Sequence, residues 1–138
     1  MLTVLVQSFS FLKNRCPEDT SGHGGGFVFD CRSLYNPGRL ESCFHLTGKD
    51  AFVSNMLDNL EEVNNFMNNV QALVSQAVEC CLKRDFASLT INFGCTGGQH
   101  RSVYCAERLT KYIKTSYPSI QLDVIHKEHN SWPKRSEC

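Results

Sequence analysis

The chain has 138 residues, the size of one domain, and is read as a single domain over 1–138 with no room for a second full-sized catalytic unit. Hydrophobic residues make up 41% and charged residues 20%, which excludes a disordered tail, and no apolar run approaches the ~20 residues a membrane span needs. Formal net charge is zero, which excludes a globally basic nucleic-acid binder, and the opening MLTVLVQSFSFL has neither the basic start nor the cleavage site of a secretory leader, so a cytoplasmic protein with no membrane partner is expected.

Residues 2–9 are β-branched and apolar with partial alternation, a first strand. Residues 12–26 hold Pro17 and four glycines, a loop by composition. The run 27–32, FVFDCR, reads as a short buried strand, and Asn36-Pro37-Gly38 as a turn. From Asp50 apolar residues recur at three and four spacing, from Phe52 to Leu60 and from Val63 to Val78; this predicts two helices, the second ending near Arg84. Residues 88–94 are a strand, 100–116 a helix that Pro118 cannot continue, and 120–126 a last strand. Strands alternating with helices predict a layered α/β fold with a largely parallel sheet.

The segment Gly94-Cys95-Thr96-Gly97-Gly98-Gln99-His100-Arg101-Ser102 joins the third strand to the third helix. Open α/β sheets bind ligands there, at strand carboxyl ends facing a helix N-terminus. Glycines let backbone N–H groups turn inward, and the helix start favours an anion. Arg101 adds a fixed positive fork suited to phosphate, Thr96 and Ser102 add hydroxyls, and His100 adds ring N–H groups. Three chemistries compete for this loop. A nucleotide P-loop wants a Gly-Lys-Ser/Thr ending, which is missing. The spacing Cys95-x5-Arg101-Ser102 resembles the loop of protein tyrosine phosphatases, with Cys95 as nucleophile and Arg101 holding the phosphate; Gly94 stands before the cysteine where many of those enzymes have histidine, and no general acid announces itself. A non-catalytic anion site, needing no cofactor, is the preferred reading, with Cys95, Thr96, Gly97, Gly98, His100, Arg101 and Ser102 as ligand contacts.

Other residues are weighed against this loop. Asp30 and Arg32 end a strand, so they reach toward the same crevice or pair with each other. Thr47-Gly48 before Asp50 reads as a helix cap. His126, beside Lys127 at a strand end, is read as an anion contact; with His129 it makes only two ligands, so no metal site is expected. Eight cysteines without a C-x-x-C pair are read as free and mostly buried. From Arg101 onward there are seven bases and four acids; Lys111, Lys114, Lys127, Lys134 and Arg135 are the candidate RNA contacts. Trp132 either stacks on a base or docks the end of the chain onto the core.

GCTGGQHRSVY at 94–104 resembles the C-terminal domain of the RapZ/YvcJ family, a bacterial family, and the resemblance extends over nearly the whole chain. FVFDCRSLYNP at 27–37 resembles its FVFD-x-R-x-x-x-NP segment, and LTGKD at 46–50 its TG-x-D segment. SFSFLKNRCP at 8–17 resembles its opening S-F-x-[FY]-K-x-G-x-P, with Arg15 and Cys16 in the G-x slot. His126-Lys127 falls where the family has a His-Arg pair. The resemblance implies a regulatory domain that binds glucosamine-6-phosphate and a small RNA and presents RNA to a ribonuclease. It also implies a fused N-terminal nucleotide-binding domain, absent here, or assembly with other copies. Two departures stand out: the family's loop lysine is Gln99, and the basic tail is reduced to Lys134 and Arg135. Both weaken the RNA expectation more than the phosphosugar one.

Overall fold

The computed structural model describes residues 1–23 and 25–134. In chain order the elements are β1 (Thr3–Ser10), β2 (Phe27–Asp30), α1 (Ala51–Asp58), α2 (Glu61–Lys83), β3 (Ser88–Cys95), α3 (Arg101–Ser116) and β4 (Gln121–His126), with short 3-10 turns at Pro37–Arg39, Glu41–Cys43 and His129–Ser131. The four strands form one all-parallel sheet in the order β2-β3-β1-β4. This is the layered α/β fold expected from the alternation of elements.

The helices follow from their apolar spacing. Val63, Met67, Val70, Val74, Val78 and Cys81 form the buried stripe of α2, while Leu73, on its flank, is half-exposed. The helix stops in a two-bond cap: Asp85 turns to φ 56°, its N–H reaches Leu82 O, and Phe86 N–H reaches Cys81 O at 2.9 Å. A second positive φ, 60° at Arg15, falls at the position where the family resemblance places glycine.

The strand rows set which side chains meet the helices. On one face lie Val4, Val6 and Ser8 of β1 beside Leu89, Ile91 and Phe93 of β3 and Phe27 and Phe29 of β2. Val4, Val6, Ile91 and Phe93 are fully buried there, and α3 lies across β3, β1 and β4 with α2 packed against α3 and β3. The opposite face carries Gln7 and Asn92, joined by a 3.0 Å hydrogen bond, with Val28 and Ile125 half-exposed. The chain between β1 and β2 borders this face through residues 16–21, and Gly26 enters β2 pressed against the Thr90 backbone of β3. An open groove of about 810 Å³ remains, bordered by Thr3, Leu5, Gln7, Val28, Thr90 and Asp123.

One expectation is corrected. β2 is not a buried strand: it is the sheet's edge, its residues alternate between half-buried and exposed, and Val28 is 51% exposed. A short apolar run cannot by itself distinguish an edge from the centre of a sheet, because both bury one side of the strand. The last helix starts at Arg101, with His100 as its N-cap. Among the described residues no helix is long and apolar enough to cross a membrane.

Candidate functional site

All four strands are parallel, so their carboxyl ends share one edge of the sheet, the usual ligand position in an open parallel sheet. β1 ends there at Ser10 and β3 at Cys95, paired in register. On the other side of β3, the chain leaving β2 borders Thr96 and Arg101 in a crevice.

The turn from Cys95 to His100 is held from behind. Ser10 Oγ donates to Thr96 O at 2.5 Å, and Phe11 N–H donates to Cys95 O at 3.0 Å. Cys95 Sγ accepts Gly98 N–H at 3.3 Å and lies 3.1 Å from Ser102 Oγ, to which it donates. Gly98 has φ 68°, and a Cβ there would stand 2.4 Å from Cγ of Glu128. Glu128, only 2% exposed, accepts from Ser10 N–H at 3.1 Å and Asn14 Nδ2 at 2.6 Å. Trp132 Nε1 donates to Gly98 O at 2.9 Å, so this indole docks the end of the chain onto the turn.

The front of the turn is open. Thr96 is exposed, and a Cβ on Gly97 would meet nothing within 4 Å. Arg101 is 5% exposed; Nη1 donates to Arg32 O at 2.8 Å and Leu34 O at 3.1 Å, and Nη2 to Thr96 Oγ1 at 3.4 Å. Its buried Nε–H has no partner, alone among the buried side-chain polar atoms of the described residues. Such a donor costs ~1–3 kcal/mol unless something accepts from it. Arg101 borders two cavities, one of about 460 Å³ with Arg32, Asn36, Arg39, Glu62 and Thr96, and one of about 250 Å³ with Cys95, Thr96, Gly97 and His100.

Asp30 and Arg32 form a closed pair. Arg32 Nε lies 2.9 and 3.0 Å from the two carboxylate oxygens, and Nη2 lies 2.6 Å from Oδ2. The guanidinium stacks 4.0 Å from the Phe11 ring centroid. Hydrogen bonding from Arg32 holds the Asp30 carboxyl below its ordinary pKa, so Asp30 is an anion that positions Arg32 at the larger cavity.

His100 and Gln99 border the smaller cavity and anchor the chain beside it. His100 Nε2 bonds Cys43 O at 2.8 Å, and burial lowers its pKa, so the ring is neutral and tethers the 3-10 turn at 41–43. Gln99 Nε2 donates to Phe44 O at 3.0 Å and Leu46 O at 2.8 Å. Gly48 presses onto the start of α3, where a Cβ would stand 2.3 Å from both His100 O and Tyr104 N. Asp50 serves the preceding turn, accepting from Thr47 N–H at 2.7 Å.

His126 lies under α3 rather than in the crevice. Its Nδ1 is 2.6 Å from Ser8 Oγ and its Nε2 3.2 Å from Glu107 Oε2, an interaction that lowers the Glu107 pKa. The basic residues do not converge. Lys111 lines a small cavity with Lys49 and Arg108, Lys114 is exposed at the end of α3, Lys127 borders the groove on the opposite face of the sheet, and Lys134 is exposed. Arg135 lies outside the described residues. Among those residues, no three His, Cys, Asp or Glu are placed to hold a metal ion.

Ser10, Glu128, Arg39 and Glu62 were not singled out from the sequence. Ser10 had a usable signal: it is a polar residue at the carboxyl end of a strand, where an open α/β sheet binds ligands. Glu128, Arg39 and Glu62 had none, because their placement depends on how distant segments fold back.

The model of the RapZ C-terminal domain matches residues 2–130. A nucleotide-binding protein of Methylococcus capsulatus is 38% identical over 93% of this chain and 41% of its own length. One from Alteromonas mediterranea is 36% identical over 94% of the chain and 43% of its length. The RNase adapter protein RapZ of Serratia proteamaculans is 34% identical over 99% of the chain and 44% of its length. The chain thus spans about two fifths of the curated relatives it matches. With the family model covering almost every residue, and the β3–α3 turn lying inside the match, the chain belongs to the RapZ C-terminal domain family.

Proposed function

We propose that this domain binds a phosphorylated small molecule at the β3–α3 turn and does not turn it over. The ligand class is a phosphosugar such as glucosamine-6-phosphate, or the phosphate of a nucleotide. The observation that carries the reading is Arg101: a buried guanidinium whose Nε–H lacks an acceptor, beside the open backbone of Thr96 and Gly97 at the start of α3. A phosphate oxygen there meets the helix N-terminus beside the Arg101 guanidinium.

The names of the relatives, nucleotide-binding protein and RNase adapter protein, extend the proposal. This chain serves as the ligand-sensing part of an adapter, joined in its relatives to further sequence. RNA is the weaker partner here, because the candidate lysines are spread over different faces.

A cysteine phosphatase is the second reading, favoured by one observation: Cys95 Sγ takes the Gly98 N–H and contacts the Ser102 hydroxyl. Asp30 does not supply the acid for the leaving group, since Arg32 holds it ionised.

An amide-shift titration with inorganic phosphate, glucosamine-6-phosphate, ATP and a short RNA tests both. Phosphate-bearing ligands move Thr96 to Ser102 first, and Arg101→Ala, with its fold checked by melting, weakens binding about tenfold or more, the worth of a charge-assisted bond of ~1.5–3 kcal/mol. Undiminished binding by Arg101→Ala places the site elsewhere. Hydrolysis of p-nitrophenyl phosphate that Cys95→Ser abolishes and Cys105→Ser retains establishes the phosphatase instead. RNA binding, where seen, weakens with salt at a log–log slope of about −0.7 per phosphate contact.

A further inference from the structure

Three cysteines meet beneath the β3–α3 turn. In the β2–β3 register Phe27 pairs with Ile91 and Phe29 with Phe93, the latter rings stacked at 5.4 Å. The next rung on the same face sets Cys31 beside Cys95, with Cys31 N–H donating to Gly94 O at 2.7 Å. Neighbouring strands lie ~4.8 Å apart, inside the ~4.4–6.8 Å Cα range a disulfide accepts. Cys105 reaches the same rung from α3, one turn beyond Ser102, next to the Cys31 thiol, whose S–H points to Phe29 O at 3.9 Å.

All three are buried, Cys31 and Cys105 completely and Cys95 at 2% exposure, and what separates them is that Cys95 borders the small cavity with Thr96, Gly97 and Arg101. Burial and the Cys105 thiol push the Cys31 thiol up, so Cys31 stays protonated and is not the first target of an oxidant.

We propose that Cys95 and Cys31 are an oxidisable pair: hydrogen peroxide entering the cavity oxidises Cys95, and Cys31 then closes a disulfide across β2 and β3. In the first step the peroxide O–O bond breaks. One oxygen joins Cys95 Sγ as a sulfenic acid, and the other leaves as water with the thiol proton. In the second step Cys31 sulfur attacks Cys95 sulfur, the S–O bond breaks, and the hydroxyl leaves as water with the Cys31 proton. Two thiols thus give two electrons to one peroxide, which becomes two waters.

The bridge draws Cys95 Sγ away from Gly98 N–H and Ser102 Oγ, the bonds that shape the turn. Oxidation therefore switches off anion binding. That consequence rests on the proposed phosphate reading, whereas the bridge itself does not.

The test treats the reduced protein with one equivalent of hydrogen peroxide, alkylates remaining thiols and maps peptides without reduction. A Cys31–Cys95 linkage forms, two of the eight thiols disappear, and dithiothreitol restores them. Inorganic phosphate, read at the Gly97 amide, binds at least tenfold more weakly after oxidation and recovers on reduction. Cys31→Ala keeps phosphate binding, forms no bridge, and leaves a Cys95 sulfenic acid that dimedone traps. Cys105→Ala still forms the bridge. A linkage to Cys105 instead, or reaction at Cys16 or Cys80 while Cys95 stays reduced, overturns the proposal. A bridge that forms in a protein showing no phosphate binding when reduced sinks the phosphate reading and leaves the thiol pair standing.

Discussion

Adjacent glycines of the β3–α3 turn have opposite tasks, and alanine at each separates them. At Gly98 the backbone has φ 68°, a conformation that costs a non-glycine residue ~1–2 kcal/mol. The new methyl would also stand 2.4 Å from Glu128 Cγ, 3.0 Å from Ser10 N and 3.1 Å from Phe9 C. Glu128 cannot swing aside cheaply, because its carboxylate is buried and bonded to Ser10 N–H and Asn14. Overpacking of this kind adds ~1–3 kcal/mol. Gly98→Ala is therefore destabilised by about 3 kcal/mol, which lowers the melting temperature of a domain this size by roughly 10 °C. At Gly97 the methyl meets nothing, so Gly97→Ala melts within about 2 °C of the parent and gains slightly from a stiffer unfolded chain. The same methyl projects into the open front of the crevice, so Gly97→Ala loses phosphate affinity while staying folded. Thermal melts followed by circular dichroism, with a phosphate titration of each variant, read both effects. Gly98→Ala melting alongside Gly97→Ala would refute the claim that Glu128 backs the turn.

Two further outcomes follow from the tethers around the start of α3. Gln99→Ala leaves Phe44 O and Leu46 O without their side-chain donor and costs about 1–2 kcal/mol, measured as a lower urea midpoint at unchanged slope; an unshifted midpoint shows that the tether contributes nothing. His100 is buried with a lowered pKa, so the unfolded chain takes up its proton first as pH falls. Its stabilisation is complete above about pH 6.5 and declines as pH drops from there toward its folded value. Urea midpoints between pH 7.5 and 5 show this loss, and His100→Asn flattens it; an equally steep decline in the variant assigns the effect to other groups. Glu107, whose pKa is also lowered, acts in a lower window, from about pH 4.5 downward, because its stabilisation is lost only as the carboxylate protonates.

The elements were legible because each carries a local signal. The three-and-four spacing from Phe52 to Val78 marks α1 and α2, and the composition of residues 88–94 marks β3. The order of strands was not legible, and the position of the crevice follows from that order. No pattern between residues 3 and 30 announces that β1 is central and β2 an edge, since both read as largely apolar runs. Within the site, the turn was readable as one continuous segment holding Gly94, Gly97 and Gly98 beside Arg101. Docking was one of two readings open for Trp132, but the Glu128 backing was not readable, because that residue arrives from the far end of the chain. His126 illustrates the limit of reading a strand end: its ring belongs to the helix-facing row, where Ser8 and Glu107 take both nitrogens.

Gln99 shows how a departure from a family pattern depends on where the side chain goes. On the sequence, glutamine in place of lysine removes a positive charge next to a phosphate and weakens the site. In the structure the side chain borders the smaller cavity, but its amide is spent on two backbone carbonyls, Phe44 O and Leu46 O. An amide NH₂ has two donors and supplies both bonds without charge, and it carries no desolvation penalty for an ammonium. The charge that matters to an anion stands two residues later, in Arg101, whose donors face Thr96 and the strand end after β2. Substitution at residue 99 thus changes how the segment around Phe44–Leu46 is pinned to α3, while the electrostatics of the turn rest on Arg101 and the helix start.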